Sequence, residues 1–254
     1  MGKKQHLSRL AAPRTWPVKR KITKWIAKPT AGAHTLTTAM PLVVIARDLL
    51  RIVDTSKELK GLLHSKSILV NNRSIRDVKF SVGLFDVIML PKIKTNYRIV
   101  LNKQGKLVPI KVADNEASTI LLRIENKKAI SKKKTQINFN NGWNILVDTN
   151  ESKIRGSVKS NDLAGKDTYK THDVIVFDTK SHKITSKLSL EKGVNTYLIG
   201  GKHAGTVAKF VEVQETGTLR KHKVAKLQAG KDHVESALRN IMIVGKDKPL
   251  ISLN

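Results

Sequence analysis

Leu42, Ile45, Ala46, Leu49, Leu50 and Val53 recur at three- and four-residue intervals, the spacing of one buried helical face. Pro41 stands at a natural first position for that helix, and Arg47 and Arg51, four apart, fall together on its outer side. Thr55-Ser56-Lys57-Glu58 reads as a capping box that opens a second helix through Leu59, Leu62 and Leu63. The period then drops to two. Short apolar runs at 67–70 and 74–76 flank Asn71-Asn72, a pair that tolerates positive φ, and so predict a tight hairpin. Further strands are expected at 84–90, 97–101, 107–112, 119–124, 144–147 and 174–177, with turns at 102–105 and 138–143. Lys127-Lys128 and Lys132-Lys133-Lys134 read as a basic loop between them. Short strands at this spacing point to β-sandwich or barrel modules. Near the end, strands at 196–199 and 206–213 flank Gly200-Gly201-Lys202-His203-Ala204-Gly205, a glycine-rich turn whose backbone amides can approach a phosphate. Runs at 237–244 and 250–253 are expected to close the chain as a strand pair. The fold class is α+β, mostly β.

The stretch before Met40 follows neither period. Lys3, Lys4, Arg9, Arg14, Lys19, Arg20, Lys21, Lys24 and Lys28 are basic, and no acid appears before Asp48. Pro13, Pro17, Pro29 and Gly32 interrupt any long helix. This composition predicts an extended arm that buries no core of its own and orders on a polyanionic surface. Trp16 and Trp25 lie inside it, either to stack on unpaired bases or to pack beneath the globular body.

Charge extends the same picture to the whole chain. Its 254 residues carry 48 Lys and Arg against 20 Asp and Glu, a net charge of +28 that would repel itself in a compact particle without a polyanion. Nucleic acid is the expected partner. Aromatic residues are only 4% of the chain, so phosphate contact is favoured over base stacking as the dominant mode. Cysteine is absent, which excludes disulfides, thiol nucleophiles and Cys-ligated metal. A reducing, cytoplasmic setting is expected, since there is neither a signal-peptide pattern nor an apolar run long enough to cross a membrane.

Catalytic templates fail in turn. No phosphate-binding P-loop, dinucleotide fingerprint or His-Glu-x-x-His pattern is present, and the eight histidines form no close metal-ligand pair. His172-Asp173 lacks a nucleophile elbow, and Arg76-Asp77 reads as a hairpin-closing pair. Asn150-Glu151-Ser152 and Asn72-Arg73-Ser74 match a glycosylation pattern in form alone. The expectation is a protein that is not an enzyme and needs no cofactor, metal or small-molecule substrate.

Specific residues carry a resemblance. His6-Leu7-Ser8-Arg9-Leu10-Ala11-Ala12-Pro13-Arg14-Thr15-Trp16-Pro17 and Lys24-Trp25-Ile26-Ala27-Lys28-Pro29 closely resemble the opening of protein four of the small ribosomal subunit of archaea and eukaryotes. The likeness resumes at Pro41-Leu42, Arg47-Asp48-Leu49 and Val82-Gly83-Leu84-Phe85-Asp86-Val87-Ile88, then at Ile199 to Gly205, Ile243-Val244-Gly245 and Lys248-Pro249-Leu250-Ile251. It implies a basic extension over 1–41, an αL-type RNA-binding helix-helix-hairpin unit over 42–104, a central β domain over 105–190 and a KOW (SH3-like) small barrel with terminal strands over 191–254. Asn138 to Trp143 stands where the family shows a His-Asp-Gly-Arg-like element, and Asn71-Asn72 where it more often shows Asp-Gly. The end at Asn254, without a longer tail, leans archaeal.

The resemblance implies a structural constituent of the small ribosomal subunit that binds ribosomal RNA beside neighbouring ribosomal proteins and takes part in translation. Its expected RNA contacts are Arg9, Arg14, Trp16, Lys19, Arg20, Lys21, Lys24, Trp25 and Lys28 in the extension. Arg47, Arg51, Lys60, Lys66, Arg73 and Arg76 are expected in the αL unit. Lys202 and His203 are expected on the loop shaped by Gly200, Gly201 and Gly205. The alternatives are a KOW-containing translation or transcription factor and an RNA-modifying enzyme with an αL module.

Overall fold

A computed structural model describes residues 6–131, 134–148, 153–154, 158–159, 169–216, 222–230 and 232–253. Lys3, Lys4, Lys132, Lys133 and Asn150-Glu151-Ser152 lie outside them. The chain divides into two compact units, residues 1–101 with 106–118, and 102–105 with 119–254, a coarser partition than the four expected segments.

The first unit contains a ribbon of β1 (Leu7–Ser8) and β2 (Trp25–Ile26), then β3 (Ala39–Pro41) running into helix α1 (Leu42–Val44). Helix α2 (Ser56–His64) leads to the strands β4 (Leu69–Val70), β5 (Arg73–Ser74), β6 (Ser81–Gly83), β7 (Val87–Leu90), β8 (Thr95–Leu101) and β9 (Leu107–Val112) and the short α3 (Asp114–Ala117). β3 pairs with β6, and a five-stranded antiparallel sheet runs in the order β5-β4-β7-β8-β9.

Local chemistry explains the elements that match expectation. Thr55 Oγ1 accepts from the Glu58 N–H at 3.2 Å, as the N-cap of a capping box does, and the return bond reaches one residue further out, Glu58 Oε2 accepting from the Asp54 N–H at 3.0 Å. Asn71 and Asn72 have φ of +51° and +63°, as the two central residues of a type I′ hairpin require.

The first helix departs from expectation. α1 gives way after three residues to a π-helical turn over Ile45–Leu49, where Leu50 N–H donates to Ile45 O at 2.9 Å. Arg51 has φ of +53° and ends the helix. Three β-branched residues in a row, Val43, Val44 and Ile45, weaken the regular α-helix, and the wider turn still buries Ile45 and Ala46. Arg47 and Arg51 therefore do not share one α-helical face.

The N-terminal stretch departs further. Instead of an arm without a core it packs on its own unit through buried Ala12, Trp16, Ile26, Ala39 and Met40. Trp16 is 2% exposed and its indole N–H donates to Ala39 O at 2.9 Å. Leu107 N–H donates to Thr15 O at 2.8 Å, and Thr30 N–H to Lys79 O at 2.9 Å. Its prolines and charges are compatible with this because one large buried ring suffices to anchor an irregular segment to a core built elsewhere.

The second unit is strand on strand: β10 (Thr119–Ser131), β11 (Lys134–Phe139), β12 (Asn144–Asp148), β13 (Lys153–Ile154), β14 (Val158–Lys159), β15 (Val174–Asp178) and β16 (Lys183–Leu188). They form a sheet ordered β14-β13-β12-β11-β10-β15-β16, whose core includes Ile120, Leu122, Ile124, Phe139 and Phe177. Lys127 and Lys128 belong to β10 rather than to a loop, opposite Ile137 and Gln136 of β11. A second sheet, ordered β20-β19-β18-β17-β21, is built from β17 (Asn195–Leu198), β18 (Val207–Thr216), β19 (His222–Ala229), β20 (Asp232–Ala237) and β21 (Ile241–Gly245). Residues 250–253 make no strand. Leu250 N–H donates to Val244 O at 2.8 Å and Ile251 is buried, so the segment caps the sheet without extending its ladder.

Candidate nucleic-acid interface

The packed N-terminal stretch and the π-helical turn leave a cleft between them of about 770 Å³. Arg9, Lys19, Lys24, Arg47 and Arg51 line it with Trp25, Ile22, Thr23 and Asp48. Five cations thus face one carboxylate, and that carboxylate is already engaged. Arg47 Nε and one terminal nitrogen hold the Asp48 oxygens at 2.7 and 3.1 Å, a two-pronged contact. A concave surface with this excess of positive charge focuses its field on an approaching polyanion.

The basic residues of the cleft play different parts. Arg9 is 7% exposed; its Nε donates to Thr23 Oγ1 at 3.0 Å and a terminal nitrogen to Lys19 O at 2.9 Å, so it fixes the loop that presents Lys19 and Lys24. Arg20 likewise donates to the carbonyls of Leu10, Ala12 and Pro13 at 2.9–3.1 Å. Lys19, Lys24 and Arg51 are exposed. Trp25 is 51% exposed, with Lys24 Nζ 5.3 Å from its ring centroid and the His6 ring at 5.6 Å. Of the two tryptophans expected either to stack or to pack, Trp16 packs.

The other expected contacts are not gathered here. Arg14, Lys21, Lys60, Lys66, Arg73 and Arg76 are exposed elsewhere on the first unit, and Lys28 is half-buried. In the second unit, Lys202 and His203 are exposed on the glycine loop. Gly201 and Gly205 adopt φ of +89° and +82°, which only glycine takes without strain. The loop is tied to itself: Gly205 N–H donates to Leu198 O at 2.8 Å and Ala204 N–H to Gly201 O at 3.4 Å. Those two amides are therefore not offered to a phosphate, and the loop presents side chains instead.

One polar centre in the same unit as the cleft has no signal in local sequence. His34 Nε2 lies 2.9 Å from Asp86 Oδ2, which also accepts from the Gly83 N–H at 2.7 Å, while Asp86 Oδ1 accepts from Asn71 Nδ2 at 2.7 Å. Burial by itself would lower the His34 pKa, but the charge and hydrogen bond of Asp86 outweigh it and raise the value above that of a free imidazole. A Cβ added at Gly83 would come within 2.3 Å of the His34 ring, so glycine makes room for that contact. Among the described residues no group of three or more His, Asp or Glu is placed to hold a metal ion, and no helix is long and apolar enough to cross a membrane.

The chain is similar to known proteins along nearly its whole length. Residues 93–184 match the ribosomal family S4e, and residues 1–37 match the RS4NT (NUC023) domain. Small ribosomal subunit protein eS4 of Methanocella arvoryzae is 34% identical over 246 residues, covering 97% of this chain and 96% of that protein. The protein of the same name from Methanocaldococcus jannaschii is 34% identical over 258 residues, covering 99% and 98%. The crystal structure of 30S ribosomal protein S4e from Thermoplasma acidophilum, 22% identical, has the same fold with a TM-score of 0.65 over 84% of this chain and 98% of that one.

Proposed function

The chain belongs to the ribosomal S4e family, and from that membership we infer that it is a structural constituent of the small ribosomal subunit, binding ribosomal RNA and neighbouring ribosomal proteins within the ribosome. Its part in translation is to bind and to hold, not to catalyse. Folded RNA crowds phosphates together, and fixed cations offset that repulsion while releasing condensed counterions. Because the deep major groove of A-form RNA gives side chains little sequence to read, recognition rests on backbone and shape.

The observation that carries this reading to particular residues is the five-cation cleft. Lys19, Lys24, Arg47 and Arg51 are its phosphate ligands, with Arg9 and Arg20 as the framework behind them. Lys60, Lys66, Arg73 and Arg76 extend the basic surface over α2 and the β4–β5 hairpin, and Lys202 and His203 form a separate contact in the second unit. Arg47→Glu with Arg51→Glu tests the cleft, because it spares the buried Leu42, Ile45 and Ala46. The expected result is a thermal midpoint close to wild type and loss of co-sedimentation with small subunits in a high-salt sucrose gradient. A double variant that stays with the subunits removes the cleft from the interface.

A further inference from the structure

We propose that the cleft captures an unpaired nucleotide, its base stacked on Trp25 and its flanking phosphates held by Lys19, Lys24 and Arg51. This rests on the reading of the cleft as an RNA interface and adds the conformation of RNA it takes.

A concavity of about 770 Å³ lies in the 300–1,000 Å³ range of pockets that enclose a compact ligand. Its volume suits a base with its sugar. The two tryptophans of the N-terminal stretch then divide their duties. Trp16 has its N–H satisfied and its ring buried, as a core ring should. Trp25, on the short strand β2, lines the cleft and is half exposed. Its neighbour Ile26 is buried, so β2 is anchored and the ring is presented from a fixed backbone. A large exposed ring held in place in a basic cleft is the arrangement on which bases of any sequence stack. Lys24 Nζ sits over that ring. A cation over an indole face is held weakly at an exposed site, so an entering base displaces it toward its own phosphate at little cost. Ile22, 65% exposed on the rim, adds an apolar surface for the sugar or the next base. Arg51, held at φ of +53° beyond the π-helical turn, projects from the opposite wall.

The test uses the full-length protein, a nine-nucleotide single-stranded RNA carrying 2-aminopurine, and an RNA duplex with the same number of phosphates. Trp25→Ala is expected to weaken single-strand binding about tenfold while leaving duplex binding within twofold. Trp25→Phe, which keeps a ring, should retain most of the affinity, and the 2-aminopurine fluorescence quenched by wild type should stay bright with Trp25→Ala. Circular dichroism checks that each variant is folded. Equal single-strand affinity for Trp25→Ala and wild type overturns the proposal, as does an equal loss for both RNAs. Incorporation of wild type into small subunits is scored separately, so failure of the ribosomal reading is not confused with failure of nucleotide capture.

Discussion

His34 and Asp86 lie fifty-two positions apart in the chain, and their contact pins the N-terminal stretch to the hairpin strands of the first unit. Both side chains are nearly enclosed, at 9% and 5% exposure, so removing one partner leaves the other buried without its bond. The His34 pKa is raised in the folded state above the ordinary value of about 6.5. The contact therefore contributes fully below about pH 6.5, where His34 is charged in both folded and unfolded chains, and fades as pH rises through the folded value. His34→Gln should cost about 1.5–3 kcal/mol in urea unfolding at pH 5.5 and clearly less at pH 8.5. An equal cost at both values would mean that the bond does not depend on the imidazolium.

Among the elements, those set by near neighbours are legible in the amino-acid order alone. The capping box at Thr55 and Glu58 and the Asn71-Asn72 hairpin depend on side chains bonding to backbone within a few positions, and both form nearly where expected. The π-helical turn is not legible in this way, because apolar spacing at 42–53 fits an α-helix equally well and the choice is made by packing. The cleft is hidden for a related reason. Its basic residues are each conspicuous, but the turn that brings residues 9–27 beside 47–51 is a long-range event. The glycine loop permits a test at this scale. Gly205→Val should unfold the second sheet, since φ of +82° suits no β-branched residue. Lys202→Ala with His203→Ala should fold as wild type by circular dichroism and incorporate poorly into subunits. Normal incorporation of that pair would leave the loop as a turn and nothing more.

For the whole molecule, the net charge of +28 supplies many cations, and the number of phosphates they contact sets how steeply binding falls with salt. Deleting residues 1–30 removes Lys19 and Lys24 from the cleft and should flatten the dependence of RNA affinity on salt. It also removes Trp16 from the core, an effect that an arm without a core of its own would not have. Truncating a buried Trp typically costs about 3–5 kcal/mol, and the deletion variant should melt well below wild type. Limited proteolysis of the RNA-free protein checks the same point: cleavage near Trp16 should be slow. Rapid cutting there would restore the detachable arm.

The bond from Leu107 N–H to Thr15 O has a consequence for the birth of the chain. The N-terminal stretch, which carries no acid, is synthesised ahead of this partner, which is translated ninety-two residues after Thr15. At about 5–20 residues per second, that is an interval of roughly 5–20 s. Throughout it the clasp stays open, and the exposed Lys19 and Lys24 can meet RNA before their own unit is complete.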